Sequence, residues 1–462
     1  MTEAIAKPAV RASSSSRPAR WVRWVRWVRW WPYLVVIAVA VLASSLHAAQ
    51  YQQISPIDET RHVDYLARLV DDGYVVKQGD KIGDVAMRLE ACRGIDLPGW
   101  TPPPCTTKRF DPADFRDDGF NNAINNPPAY YLVTGVVAKA TTTLGISNNL
   151  LDPARVFGGF WLAAGLALAL YAGELLGLRR VPLVSAAVLF ALAPDPLFMA
   201  SIVNPDAASV FAGALVFVAV LLWERGRLRV GWLAGAAAIA ASFKMTNLIG
   251  VGVVVAWLLF QAYAVWRREA TETGRSARSY VIACGVLVGA AVGVTLLWMA
   301  IAGSRATVDA LRLQSNLQFY HPGFPADSLL IRRNLFSLFP PFGTLRAPEL
   351  QRRVIHDATV VIAWLAIAAT FASALRFSIR DRISTLGFST AAVLVAAGPA
   401  FIVSTWLVNR VIFQPSARYA MSAIPILIVL TAAMVKGRVA TICIGVFAGL
   451  VALTMLVVLA FG

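Results

Sequence analysis

The string SPIDETRHVDYLARLVDDG, from Ser55, places two adjacent carboxylates, Asp58 and Glu59, close to an imidazole, His62. Asp58 and His62 are four residues apart, so on a helix they share one face. A carboxylate there suits a general base, with neighbours to orient it. The same residues also suit a plain helix start: Ser55 as N-cap, Pro56 at the first helical position, and Asp58 and Glu59 where the helix dipole favours anions. VNPDAAS, from Val203, brings Asn204 and Asp206 to a second helix start. SFKMTN, from Ser242, sets Lys244 at the tip of a short helical hairpin, a place where lysine can also simply snorkel. FQPSARYAMSAIPIL, from Phe413, carries Arg418 and Tyr419 at another helix start. In NNAINNPPAYYLVTG, from Asn121, the Pro-Pro pair forces an extended entry to the next helix, and Tyr130–Tyr131 suits a membrane interface. His321, Arg332 and Arg333 are weaker candidates in a later loop.

The elements that must position these residues are membrane spans. The chain has 462 residues, is 58% hydrophobic and has a mean hydropathy of +0.62. From Trp31 onward, apolar runs of about 16–24 residues follow one another, enough to cross roughly 30 Å of hydrocarbon. The net charge of +16 lies mostly in short segments between these runs, as the positive-inside rule expects. No soluble basic domain is left to bind nucleic acid. Residues 1–32 read as a cytoplasmic tail, disordered by its Ala/Ser/Pro composition, ending in an anchor, RWVRWVRWVRWW, that suits anionic headgroups. Residues 33–462 read as the transmembrane domain.

Placing the Arg-rich segments on the cytoplasmic side gives spans at 33–49, 155–176, 181–200, 206–223, 230–245, 247–266, 280–302, 357–375, 384–407, 419–435 and 439–461. The expected fold is an all-α polytopic membrane protein of about 11 transmembrane helices, N-terminus inside and C-terminus outside. Residues 50–127 form a large first extracytoplasmic loop with interfacial helices, and 303–356 a second. Residues 128–145 are expected to lie at the interface or re-enter, because a full crossing would invert every later loop and bury Lys139 in lipid. Cys284 and Cys443 fall within spans. Cys92 and Cys105 fall in the first loop, where an oxidising compartment would let them pair, although spacing alone does not decide it. With four histidines and no HExxH motif or Cys/His cluster, no metal site is expected from the motifs; a carboxylate-bound divalent cation stays open.

Taken in order over nearly the whole chain, this layout resembles the GT-C superfamily of membrane glycosyltransferases. PPAYY, from Pro127, is similar to the HPPLxYW-type segment found there, with Asn126 in place of His and Ala129 in place of Leu. IDETRH, VNPD and QPSARY resemble a bacterial branch of membrane proteins of unknown function with the pattern PDExxH, NPD and GRY; Ala417 replaces the Gly. The resemblance implies a sugar donor on polyprenyl phosphate in the outer leaflet of the plasma (inner) membrane, amid membrane lipids. The acceptor would be an extracytoplasmic glycan, lipid or protein hydroxyl, and no cofactor is required. It implies Asp58 as base, Glu59 and His62 orienting the base or binding sugar hydroxyls, Asn204, Asp206 and Tyr419 at the donor, and Lys244 and Arg418 on the phosphate. A transporter, or a flippase or ligase of lipid-linked glycans, is the rival reading. Against a transporter, there is no clear internal repeat and almost no ionisable residue at mid-span.

Overall fold

In lipid every backbone N–H and C=O must pair within its own segment, so apolar runs of membrane length become helices. The computed structural model describes residues 19–268, 274–309, 313, 318–323, 332–342 and 353–461. The tail expected to be disordered, up to residue 18, and nearly half of the expected second loop lie outside the described residues. The helices are α1 Ala19–Gln50, α2 Glu59–Asp72, α3 Asp84–Arg93, α4 Ala129–Thr143, α5 Leu151–Leu175, α6 Arg180–Ala191, α7 Pro194–Ala200, α8 Ser209–Glu224, α9 Gly231–Phe243 and α10 Leu248–Trp266. They continue as α11 Ala277–Ser304, α12 Arg353–Leu375, α13 Arg382–Asn409, α14 Ile424–Met434 and α15 Arg438–Phe461. The chain is an all-α, multi-pass integral membrane protein.

Among the described residues, nine helical stretches are long and apolar enough to span, or ten if the bent pair α6–α7 is one span. This corrects the expected eleven. All eleven apolar segments are helical, but α9 has only 13 residues, about 20 Å of helix against roughly 30 Å of hydrocarbon. The α6–α7 pair bends by 67°, because Pro194 and Pro196 each lack the N–H that a continuing helix would use. Segment 128–145 forms α4, of 15 residues, packed along α2 and α5. Its Lys139 pairs with Asp71 of α2 at 2.6 Å.

The first loop is a folded cap. Cys92 and Cys105 are joined by a disulfide, with Cα atoms 4.5 Å apart. Single bridges join Ile54 to Ile95 and Lys81 to Phe120. Asn121, fully buried, donates to Asp64 Oδ2 at 2.8 Å and to the Arg61 carbonyl at 3.2 Å, tying the NNAINNPP stretch to α2. Helix α2 starts at Glu59 rather than at Ser55–Pro56 as expected. The reason is the Glu59 carboxylate, which accepts the N–H of Ser55 at 2.8 Å and so folds residues 55–58 into a turn.

That carboxylate also fastens the cap to the bundle. Arg155, near the start of α5, donates Nε to Glu59 Oε1 at 2.8 Å and Nη2 to Oε2 at 2.6 Å. It also donates to the carbonyls of Tyr51 and Gln53 at 2.5 and 2.7 Å. The Val203 N–H reaches Glu59 Oε1 at 2.8 Å. Both side chains are fully buried. Removing one partner of such a pair strands the other charge, at a cost of about 3–5 kcal/mol. Arg155→Leu should therefore lower the unfolding midpoint in detergent far more than Arg93→Leu, whose partner Asp152 is half exposed. Equal midpoints for the two variants would contradict this assignment.

Candidate functional site

Asp206 sits in the short 3-10 turn Pro205–Ala208 that starts α8. Asn204 caps that turn, its Oδ1 accepting the Asp206 N–H at 2.9 Å. The Asp206 carboxylate is fully buried and holds two cations. Lys244 Nζ lies 2.6 Å from Oδ1, and Arg418 Nε lies 3.1 Å from Oδ2. Lys244 is set by the break after α9, where it adopts an extended backbone before the turn Met245–Asn247. Arg418 belongs to the 3-10 segment Ala417–Ala423 that leads into α14.

Close packing delivers that segment to Asp206. A Cβ on Gly213 of α8 would lie 1.8 Å from the Ser422 carbonyl oxygen, and one on Gly250 of α10 would lie 2.8 Å from it. The Gly250 N–H donates to Ser422 Oγ at 3.0 Å. With Cβ absent at both positions, the Arg418 segment wedges between α8 and α10. Tyr419 then presents its ring to both cations, with Lys244 Nζ and Arg418 Cζ each 5.2 Å from the centroid. Lys244 and Arg418 keep only 10% and 16% side-chain exposure, while Asp206 between them is fully buried.

Asp58 faces this group from the cap. It takes left-handed backbone angles (φ 58°, ψ 14°), costly for a residue other than glycine and least so for Asp and Asn. Its side chain keeps 40% exposure while Arg61 and Arg418 act on its charge. Burial pushes its carboxyl up, but the neighbouring cations, Arg61 foremost and then Arg418, outweigh it and hold the group below the ordinary value. Asp58 is therefore ionised at neutral pH. Arg61 Nη1 binds Asp58 Oδ1 at 2.6 Å, and Arg61 Nη2 binds Asp117. A small cavity beside Asp58 is lined by Ser55, Thr60, Arg61, Glu90 and Phe115.

His62 projects from α2, and its Nδ1 lies 2.7 Å from the Tyr131 hydroxyl. Tyr131 in turn stacks on Tyr65 at 4.1 Å. Burial pushes the His62 imidazole down to about 3, so it is neutral over the physiological range. It also feels the charges of Asp58, Lys244 and Asp206.

Asp58, His62, Asn204, Asp206, Lys244, Arg418 and Tyr419 thus gather at one end of the bundle. Glu59 does not join them in an accessible position, because Arg155 and two backbone N–H groups occupy its carboxylate. Cys92 and Cys105 brace the cap instead. Sequence reasoning missed Arg61, Asp117 and Arg155. Arg155, an ionisable residue at the edge of an apolar run, was itself a signal. Arg61 stands three residues from Asp58, on the same helical face. Among the described residues no three His, Cys, Asp or Glu side chains gather as metal ligands.

No family model matches the chain, and no curated protein matches it. Among solved structures it is similar to the crystal structure of ArnT from Cupriavidus metallidurans bound to undecaprenyl phosphate. The TM-score is 0.43 and the identity 16%, covering 88% of this chain. The chain matches 60% of the length of that structure.

The neutral, buried His62 has a pH signature. Its folded pKa lies below the unfolded value of about 6.5, so the unfolded chain binds the extra proton first, and stability falls as pH drops below about 6.5. At pH 5 the loss from this group is about 2 kcal/mol. His62→Gln should flatten the acid limb of stability measured by unfolding midpoints between pH 5 and 7; an unchanged limb would mean that other groups set it.

Proposed function

We propose that the chain is a membrane glycosyltransferase that moves a sugar from a polyprenyl-phosphate donor to an extracytoplasmic acceptor hydroxyl. The observation that carries this reading is an ionised Asp58 within reach of the charges of Lys244 and Arg418, the two cations that share the Asp206 carboxylate. The ordered motifs of the sequence support it. In this reading the donor phosphate docks on Lys244 and Arg418, where arginine favours bidentate contact and lysine acts as a point charge. Asp206 keeps one net positive charge on that group, so a phosphate is attracted and the leaving group is stabilised as its charge grows. The acceptor hydroxyl enters beside Asp58. As its oxygen attacks the anomeric carbon, Asp58 accepts the proton and the bond to the phosphate oxygen breaks. Direct displacement at one carbon inverts its configuration. Arg61 orients Asp58 and lowers its basicity; His62, neutral, offers hydrogen bonds to sugar hydroxyls. Glu59 is a positioning residue that sets the turn bearing Asp58.

The orientation belongs to the same proposal: N-terminus inside, C-terminus outside, and the crevice on the extracytoplasmic face of the plasma membrane. Lys244, at the end of α9, meets Asp206, at the start of α8. The short α9 therefore returns the chain to the end of the bundle that bears Asp206. Gathering the ionisable residues at one end rather than at mid-bundle favours surface chemistry over passage.

Asp58→Asn keeps the size and backbone preference of the residue and removes the base. In a host lacking the native gene, wild type should restore a sugar on the envelope glycans, read by mass spectrometry. At matched protein levels, Asp58→Asn should cut transfer by about 10²–10⁴-fold. Full restoration by the variant would refute Asp58 as the base. Arg418→Lys, which keeps the charge but loses the fork, should weaken donor use more than it weakens folding; donor titration against membranes bearing each variant measures this.

A further inference from the structure

The end of the bundle opposite Asp58 holds a second site. Helix α5 begins beside Arg155 at the cap and runs to Leu175; from Arg155 to Glu174 it covers about 28 Å. There the ends of α5 and α8 meet the starts of α11 and α13 around a cavity of about 910 Å³. Its charged lining is Glu174, Glu224, Arg225, Arg227, Arg275 and Arg382. Both carboxylates are already occupied. Glu224, almost fully buried, accepts Arg382 Nη2 at 2.5 Å and the Tyr280 hydroxyl at 3.0 Å. Glu174 accepts Arg180 Nε at 3.1 Å and the Tyr33 hydroxyl at 2.9 Å. Arg275 donates to the Trp223 carbonyl at 2.5 Å and lies 4.8 Å over its ring. Arg382 lies 5.1 Å over the Trp257 ring.

Arg225 and Arg227 are exposed, and no carboxylate among the described residues pairs with either. The cavity therefore carries more positive than negative charge. Two of its arginines are fixed by ion pair, carbonyl and ring contacts, and two are left for a ligand. It opens at the ends of apolar helices. We infer that this cavity binds a phosphate ester, held by Arg225 and Arg227 with Arg275 beside them, and that the headgroup of an anionic phospholipid supplies it. Planar guanidinium groups match phosphate oxygens in pairs, and basic recesses between spans suit anionic headgroups. The bound lipid would brace the junction of the four helices. This site is independent of the crevice chemistry.

The test uses the full chain in nanodiscs of phosphatidylcholine, with and without phosphatidylglycerol. Native mass spectrometry counts the phosphatidylglycerol retained, and the unfolding midpoint is read in parallel. Wild type should retain phosphatidylglycerol and unfold at a higher temperature with it. The double variant Arg225→Gln/Arg227→Gln changes two exposed side chains, so it should fold, and it should bind the lipid about tenfold more weakly. Arg438→Gln, exposed at the same end but outside the cavity, should behave as wild type. Glycerol 3-phosphate added to phosphatidylcholine discs separates the sources. If it raises the midpoint of wild type and not of the double variant, while phosphatidylglycerol is not retained, the site stands and its ligand is a soluble phosphate ester. If the double variant responds like wild type to both probes, or Arg438→Gln loses as much, there is no such site.

Discussion

The cap and the bundle are held in register by one buried ion pair, Glu59 with Arg155. Two charges out of water are expensive, and their attraction offsets that expense only when every remaining lone pair and proton is satisfied. Here two arginine–carboxylate contacts, two carbonyls and two backbone N–H groups do so. Those partners come from the end of α1, the turn before α2, the start of α5 and the turn before α8. The pair is therefore a junction of three stretches distant in sequence: residues 51–59, the start of α5 and Val203. It sets the turn in which Asp58 adopts its left-handed backbone, and Val203, three residues before Asp206, is bound to the same carboxylate. Both halves of the crevice refer to one anchor.

Around that anchor the charges are arranged in pairs about a shared group. Asp206 binds two cations and is itself sealed. Arg61 binds two carboxylates, Asp58 and Asp117, and is itself nearly sealed. In each case the shared group is buried and fixes the spacing of two groups of the other sign, which flexible surface side chains would not hold for themselves.

Much of the fold was legible. Apolar run length and the distribution of arginine located every helix of the bundle, because lipid leaves the chain little choice. The failures are local. Ser55–Pro56 has the composition of a helix start, yet the start moved to Glu59 because a side chain anchored from α5 pulled the preceding turn round. That interaction spans 96 residues, and its one mark in the sequence is Arg155, an ionisable residue at the edge of an apolar run. The span count was overstated because hydropathy alone gives no length at Lys244, where the backbone breaks. For the site, residue types and order brought together Asp58, His62, Asp206, Lys244 and Arg418. Glu59 turns to Arg155 and away from Asp58's side of the cap, a difference that adjacent carboxylates do not reveal in a sequence, because neighbours on a helix point in different directions.

The shortness of α9 has a consequence for the surrounding bilayer. Trp232 and Ile239 are exposed on it, so this helix faces lipid as well as protein. A helix of about 20 Å beside neighbours that reach the full hydrocarbon thickness creates a hydrophobic mismatch on one flank, relieved by local thinning at a cost of fractions of a kcal/mol per Å. Lys244 stands at the end of that helix, so in a bilayer of ordinary thickness it would lie below the headgroups. Under the proposed function a donor phosphate would be drawn down to it in the thinned annulus, and the thickness of the host membrane would enter the energy of donor capture.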